Sequence, residues 1–140
     1  HTSIILKGLR VVQALCIAIA GALGALCRWG IGRLAVRLFG PSFPYGTLIV
    51  NILGCFLIGL VMHLSLASVR FSPVLRLTLT VGFLGALTTF SAFSYETIVL
   101  IEKSGWTAAV MNISMNLLFG ILATLCGLIL GRTLFGEILS

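Results

Sequence analysis

Gly82-Phe83-Leu84-Gly85-Ala86-Leu87-Thr88-Thr89-Phe90-Ser91-Ala92-Phe93-Ser94 decides how this chain is read. The stretch lies in a segment apolar enough to cross a bilayer, yet it holds two glycines and four hydroxyl residues. A plain membrane helix carries leucines there. Backbone that leaves the helical ladder at membrane depth must be buried in protein or line a polar path, because lipid offers its N–H and C=O groups no partners. Broken helices of this kind are where ion-handling membrane proteins place their binding sites.

Around it the chain is almost all membrane. Of 140 residues, 59% are hydrophobic and 9% charged, which excludes an ordinary soluble domain. The apolar residues fall into four blocks, 11–27, 47–66, 74–101 and 106–130, each near the roughly 20 residues a spanning helix needs. The expected fold is an all-α membrane protein, a single unit over 1–140 with helices at about 11–37, 46–67, 73–101 and 106–131 and a break in the third. Lys7 and Arg10 before an apolar run resemble a secretory leader. Three further spans follow, so the run is read as the first membrane helix.

The turns are short. Gly40-Pro41-Ser42-Phe43-Pro44-Tyr45-Gly46 joins the first two helices, and Ser72 before Pro73 has the form of an N-cap with proline at the first helical position. A net charge of +6 in a soluble chain would suggest nucleic acid; here the basic residues sit beside helix ends, so the partner is the lipid headgroup layer. Lys7, Arg10, Arg70, Arg76 and Arg132 fall on one side, and Arg28, Arg33, Arg37 and Lys103 on the other. So small a difference orients the chain weakly. Either one orientation with a poor signal or insertion in both senses fits it. Four short helices enclose little volume, so an ion path calls for a second copy, for which Gly127 and Gly131, or Gly21, Gly24 and Ala25, offer close-approach surfaces.

Several residues could carry chemistry. Phe90 and Phe93 share a helix face beside Thr89 and Ser91, and the positive edges of two rings can stabilise an anion. Asn51 sits deep in the second helix, either as a bond between helices or as a donor to an ion. Asn112, Asn116, Gly120 and Thr124 form one stripe on the fourth helix, which must face protein or water. Glu96 is either a functional carboxylate or a solvated or Arg-paired helix end; Arg28 is either a vestibule cation or an anchor. Cys16, Cys27, Cys55 and Cys126 are dispersed and read as buried packing residues, and His63 stands alone. No Ser/His/Asp set, metal cluster or phosphate loop occurs and aspartate is absent, so the site is not an enzyme's.

With these residues in view, the sequence resembles the Fluc (CrcB-like) family of fluoride channels. The resemblance covers nearly the whole chain, through Gly21-Ala22-Leu23-Gly24-Ala25-Leu26-Cys27-Arg28-Trp29, Gly46-Thr47 with Val50-Asn51 and Gly54, and above all residues 82–94 followed by Glu96-Thr97. It implies an antiparallel, dual-topology homodimer in a bacterial inner membrane, enclosing two fluoride pores, with no organic cofactor. By resemblance Phe90 and Phe93 are pore aromatics facing the Asn51 amide. A structural Na⁺ would rest on the backbone carbonyls of Gly85 and Thr88 from both subunits. Arg28 matches the vestibule arginine, and Asn112, Asn116 and Thr124 fall on the family's polar track. Ala92 and Gly120 depart from positions where the family often has a hydroxyl. A four-span drug transporter that inserts both ways is the rival reading, but it needs a carboxylate in the first helix, which has none. A non-transporting subunit would leave the Thr-Thr-Phe-Ser cluster unexplained.

Overall fold

A computed structural model describes residues 2–67 and 71–136. The chain forms α1 (Thr2–Phe39), α2 (Tyr45–Ala67), a third span built in pieces, and a final helix. The third span comprises α3 (Pro73–Leu77), a π-helical segment (Thr78–Leu84), α4 (Gly85–Leu87) and α5 (Phe90–Ser104); the fourth span is α6 (Trp106–Phe135). Four stretches are long and apolar enough to cross a membrane, Lys7–Phe39, Tyr45–Leu66, Pro73–Ser104 and Trp106–Leu134. The protein is an integral, multi-pass membrane protein.

The helices overrun the ends set by the apolar pattern. α1 continues to Phe39, the third span to Ser104 and α6 to Phe135. Each stops at a glycine with positive φ: Gly40 at 79°, Gly105 at 88° and Gly136 at 80°. Charge marks where a helix leaves the hydrocarbon, whereas a helix ends where a residue can turn left-handed without a Cβ clash. The start of α3 follows its signature: the Leu75 N–H donates to Ser72 Oγ at 3.1 Å, with Pro73 at the first turn. Arg70 lies outside the described residues.

α2 is the inner helix. A third of its most apolar window is buried within the chain, against 11% for α1 and for α6. It lies chiefly on α6, while α1 packs on the π segment and α4. The register of α2 on α6 is parallel with a constant offset. Asn51 meets Asn116, Cys55 approaches Gly120, and Gly59 abuts the Thr124 carbonyl. Small residues make these approaches possible. A methyl at Gly127 would overlap the Phe56 carbonyl, one at Gly59 the Thr124 carbonyl, and one at Gly24 the Phe83 carbonyl. The small-residue faces of α1 and α6 are therefore used within the chain, against the third span and α2.

The buried core is correspondingly small. One cluster joins Val50, Leu84 and Leu87 at mid-depth, and another joins Phe43, Leu48, Leu100 and Ala109 near the first loop. Large apolar side chains such as Leu15, Leu23, Leu118 and Ile121 face outward. The cysteines depart from expectation. Cys27 and Cys126 are exposed and Cys16 and Cys55 half-buried, because a thiol is as compatible with an apolar surrounding as with a core. His63 is buried, its Nε2 3.1 Å from the Gly136 carbonyl at the end of α6.

Candidate functional site

The break falls at Thr88 and Thr89, both extended (φ −80°, ψ 156° and φ −152°, ψ 115°). Two backbone donors are thereby redirected. The Thr89 N–H, whose helical acceptor would be the Gly85 carbonyl, donates to Asn51 Oδ1 at 2.8 Å. The Ala92 N–H, whose acceptor would be the Thr88 carbonyl, donates to Thr89 Oγ1 at 3.2 Å and so caps α5. The carbonyls of Gly85 and Thr88 are left without those donors. Thr88 points its hydroxyl back to the Leu84 carbonyl at 3.0 Å, and its methyl fills the space where Gly54 has no Cβ.

Asn51 holds the break from α2. Besides accepting from the Thr89 N–H, it donates through Nδ2 to the Thr89 carbonyl at 3.3 Å and to Asn116 Oδ1 at 3.0 Å. From there a chain of bonds crosses the bundle. Asn116 Nδ2 donates to the Asn112 carbonyl and side-chain oxygen at 3.0 and 3.1 Å. The fully buried Asn112 donates to Thr97 Oγ1 at 3.0 Å, and Thr97 donates to the Phe93 carbonyl at 2.7 Å. One connected network thus ties α2, α6 and α5 around the break. Buried amides require this, since each group left unpaired costs about 1–3 kcal/mol. Thr124 is not brought into it: its hydroxyl donates to the Gly120 carbonyl of its own helix at 3.1 Å.

Phe90 and Phe93 stand together as the spacing predicts, ring centroids 5.5 Å apart and tilted by 55°. Their surroundings differ: Phe93 is buried, whereas Phe90 is 77% exposed on the outside of the bundle. Both line an open-sided cavity of about 350 Å³ with Asn51, Thr88, Thr89 and Asn116. Ser91, exposed, lies with its Oγ 3.3 Å from Thr89 Oγ1. The cavity also takes in Thr80, which sequence reasoning missed. Its hydroxyl donates to the Arg76 carbonyl at 2.8 Å, and its own carbonyl accepts from the Gly85 N–H. The available signal was a second pair of hydroxyls, Thr78 and Thr80, one turn before the glycines.

Glu96 lies apart from the break, with Thr47 donating to its Oε1 at 2.8 Å. Its Oε2 is buried with no hydrogen-bond partner, arginine included, among the described residues. Glu96 and Thr47 line a second cavity of about 530 Å³, with Tyr95 and Lys103 also on its wall. Arg28 is brought to neither cavity; it borders a groove on α1 with Trp29, Arg33 and Arg37. Among the described residues, no group of three or more His, Cys, Asp or Glu side chains could hold a metal ion.

A short four-span bundle with a braced break in its third span, and polar groups gathered at that break, defines a class of small membrane proteins. The family model described as "CrcB-like protein, Camphor Resistance (CrcB)" matches residues 15–128, and the chain belongs to this family. It is 47% identical over 122 residues to a Geobacter sp. (strain M21) protein named "Fluoride-specific ion channel FluC", covering 87% of this chain and 98% of the relative. Proteins of the same name from Dehalococcoides mccartyi and Clostridium perfringens are 48% and 44% identical, over 87% and 90% of this chain and 94% and 98% of theirs. These relatives are named as channels, not as enzymes.

Proposed function

We propose that this chain is the subunit of a passive, fluoride-selective channel, and not an enzyme, that lets cytoplasmic fluoride leave down its electrochemical gradient. The observation that carries the reading is the break at Thr88–Thr89, braced by Asn51 and flanked by Phe90 and Phe93, in a chain so similar to proteins named for fluoride conduction. Fluoride is small and strongly hydrated, so a path must replace its water with close donors and ring edges. Asn51, Thr89, Ser91, Phe90 and Phe93 supply such groups, and Asn116 and Asn112 continue them along α6. The long Nδ2 bond of Asn51 to the Thr89 carbonyl, 3.3 Å, is the one an anion would replace most readily. Glu96 and Arg28 stand at the ends of the path in this reading, and Thr124, bonded within α6, marks its limit along that helix. An inside-negative potential drives out an anion with about 2.3 kcal/mol per 100 mV, so no pump is required.

The working unit in this reading is an antiparallel homodimer with two pores, in a bacterial inner membrane. The exposed Phe90 and the open side of its cavity leave room for a second copy, and the near-even basic residues suit insertion in both senses. A sodium ion fits the break: the Gly85 and Thr88 carbonyls have lost their helical donors, Gly85 is exposed, and two copies would offer four oxygens. Bound there, the cation would neutralise carbonyl dipoles that otherwise lack partners.

The test is efflux from liposomes carrying the purified protein, followed with a fluoride electrode after valinomycin is added, with chloride as the paired control. Fast fluoride loss without chloride loss is expected. No fluoride flux from a folded dimer would overturn the reading.

A further inference from the structure

Arg33 and Arg37, on the last turns of α1, take no part in the path around the break, and with Arg28 they have the arrangement of a binding site. α1 has a described apolar stretch of 33 residues, about 50 Å long, in a hydrocarbon layer of about 30 Å. Gly32 lies against Gly46 at the start of the second span, Tyr45–Leu66, so the edge of that layer crosses α1 near Gly32. The turns beyond Gly32 therefore stand in the headgroup region, with Arg28 and Trp29 about one turn below it. The exposed Trp29 lies at this depth, and the exposed Trp106 opens α6 on the same side of the membrane.

In this segment Arg28 on one flank and Arg33 and Arg37 on the other border an open groove of about 480 Å³. Trp29, Gly32 and Val36, at positions i, i+3 and i+7, form its floor. Gly32 contributes no side chain, so the floor is recessed. The Arg33 guanidinium lies 5.2 Å from the centroid of the Trp29 ring, which orients it along the groove. Arg33 and Arg37, one turn apart, face the same way. No acidic side chain lines the groove.

We infer that this groove binds the phosphate of an anionic phospholipid, held between Arg33 and Arg37 with Arg28 on the far flank, its glycerol and upper acyl chain lying on Trp29, Gly32 and Val36. Guanidinium forks match phosphate oxygens in pairs, and their bonds to an ionised acceptor are about twice as strong as neutral ones. Depth selects a lipid over a soluble anion, since the floor is apolar and opens toward the acyl layer. Charge selects an anionic lipid: a zwitterionic headgroup would bring its own cation against three guanidiniums.

Native mass spectrometry of the full chain tests this, with phosphatidylglycerol, phosphatidylcholine and inorganic phosphate as separate probes. The expected result is one phosphatidylglycerol per subunit, retained at least about tenfold more strongly than phosphatidylcholine, with no comparable retention of inorganic phosphate. Joint replacement Arg33→Gln and Arg37→Gln should weaken phosphatidylglycerol binding at least about tenfold, while Lys7→Gln with Arg10→Gln, the same charge change at the other end of α1, leaves it intact. Equal losses in the two variants would reduce the effect to bulk surface charge and overturn the site. Equal retention of inorganic phosphate would overturn a lipid as its occupant. Dissociation of a dimer with unchanged lipid binding would assign the groove to a second copy instead. Should the glutamine pair not fold, Arg33→Lys with Arg37→Lys keeps the charge and loses the forks. A several-fold weakening is then expected, and unchanged affinity would overturn the phosphate clamp.

Discussion

The two halves of the α2–α6 seam run in one register but are held by different chemistry. In the first half Asn51 meets Asn116, and hydrogen bonds continue through Asn112 and Thr97 into α5. In the second, Gly59 and Gly127 let the helices approach until backbone touches backbone. The glycine half contributes contact and nothing directional. The asparagine half contributes direction: Asn51 supplies both an acceptor and a donor to Thr89, which fixes where α4 ends and α5 begins. A helix break in lipid is otherwise costly, so the polar half is what makes the site possible and the glycine half is what makes the bundle compact.

Breaking the polar half should have the largest effect. Asn51→Ala leaves the Thr89 N–H, the Thr89 carbonyl and Asn116 Oδ1 without their partner, a combined loss of about 2–4 kcal/mol, and fluoride efflux should fall about a hundredfold. Asn51→Asp sharpens the point, since it keeps the acceptor for the Thr89 N–H and loses the donor. Efflux from liposomes and thermal unfolding of the same preparations read both quantities. Wild-type flux in Asn51→Ala would mean that the break stands without its brace.

Phe90→Leu comes next, separating conduction from stability at a single position. Phe90 is exposed in the subunit, so its replacement should change subunit unfolding by less than about 0.5 kcal/mol while lowering fluoride efflux about tenfold. Unchanged efflux would remove the ring from the path. In the glycine half the expectation reverses. Gly127→Val places a side chain on the Phe56 carbonyl and should destabilise the fold by about 1–3 kcal/mol, yet efflux per folded protein should stay within about twofold of wild type. A specific flux defect there would mean that the halves are not separable.

The outline of this architecture is written locally, and so is the position of the break. Four apolar runs, Ser72 before Pro73, and the crowding of Gly82, Gly85, Thr88 and Thr89 are features a chain displays in order. What holds the break is not local. Asn51 and Thr89 are 38 residues apart and nothing in either neighbourhood names the other; the same is true of Thr47 and Glu96. The π segment at Thr78–Leu84 is hidden for another reason: Thr78 and Thr80 are too few polar residues in seven to set a phase from which a wider turn could be read. Helix ends were masked by charge. Arg37, Lys103 and Arg132 stand near the polar ends of their helices, and the backbone continues past each to a positive-φ glycine.

The smallest effect belongs to Thr124, where the stripe of α6 passes from one half of the seam to the other. Asn116 and Asn112 each bond a residue of another helix, Asn51 and Thr97, but Thr124 returns its hydroxyl to Gly120 one turn back, and its carbonyl faces Gly59. A hydroxyl bonded within its own helix satisfies itself and holds no second element. Thr124→Val keeps the shape and removes only that bond, so unfolding should shift by no more than about 0.5 kcal/mol and efflux by no more than about twofold. A larger fall in flux with unchanged stability would carry the polar path past Gly120 into the glycine half, and the division between the two halves would then lie further along α6.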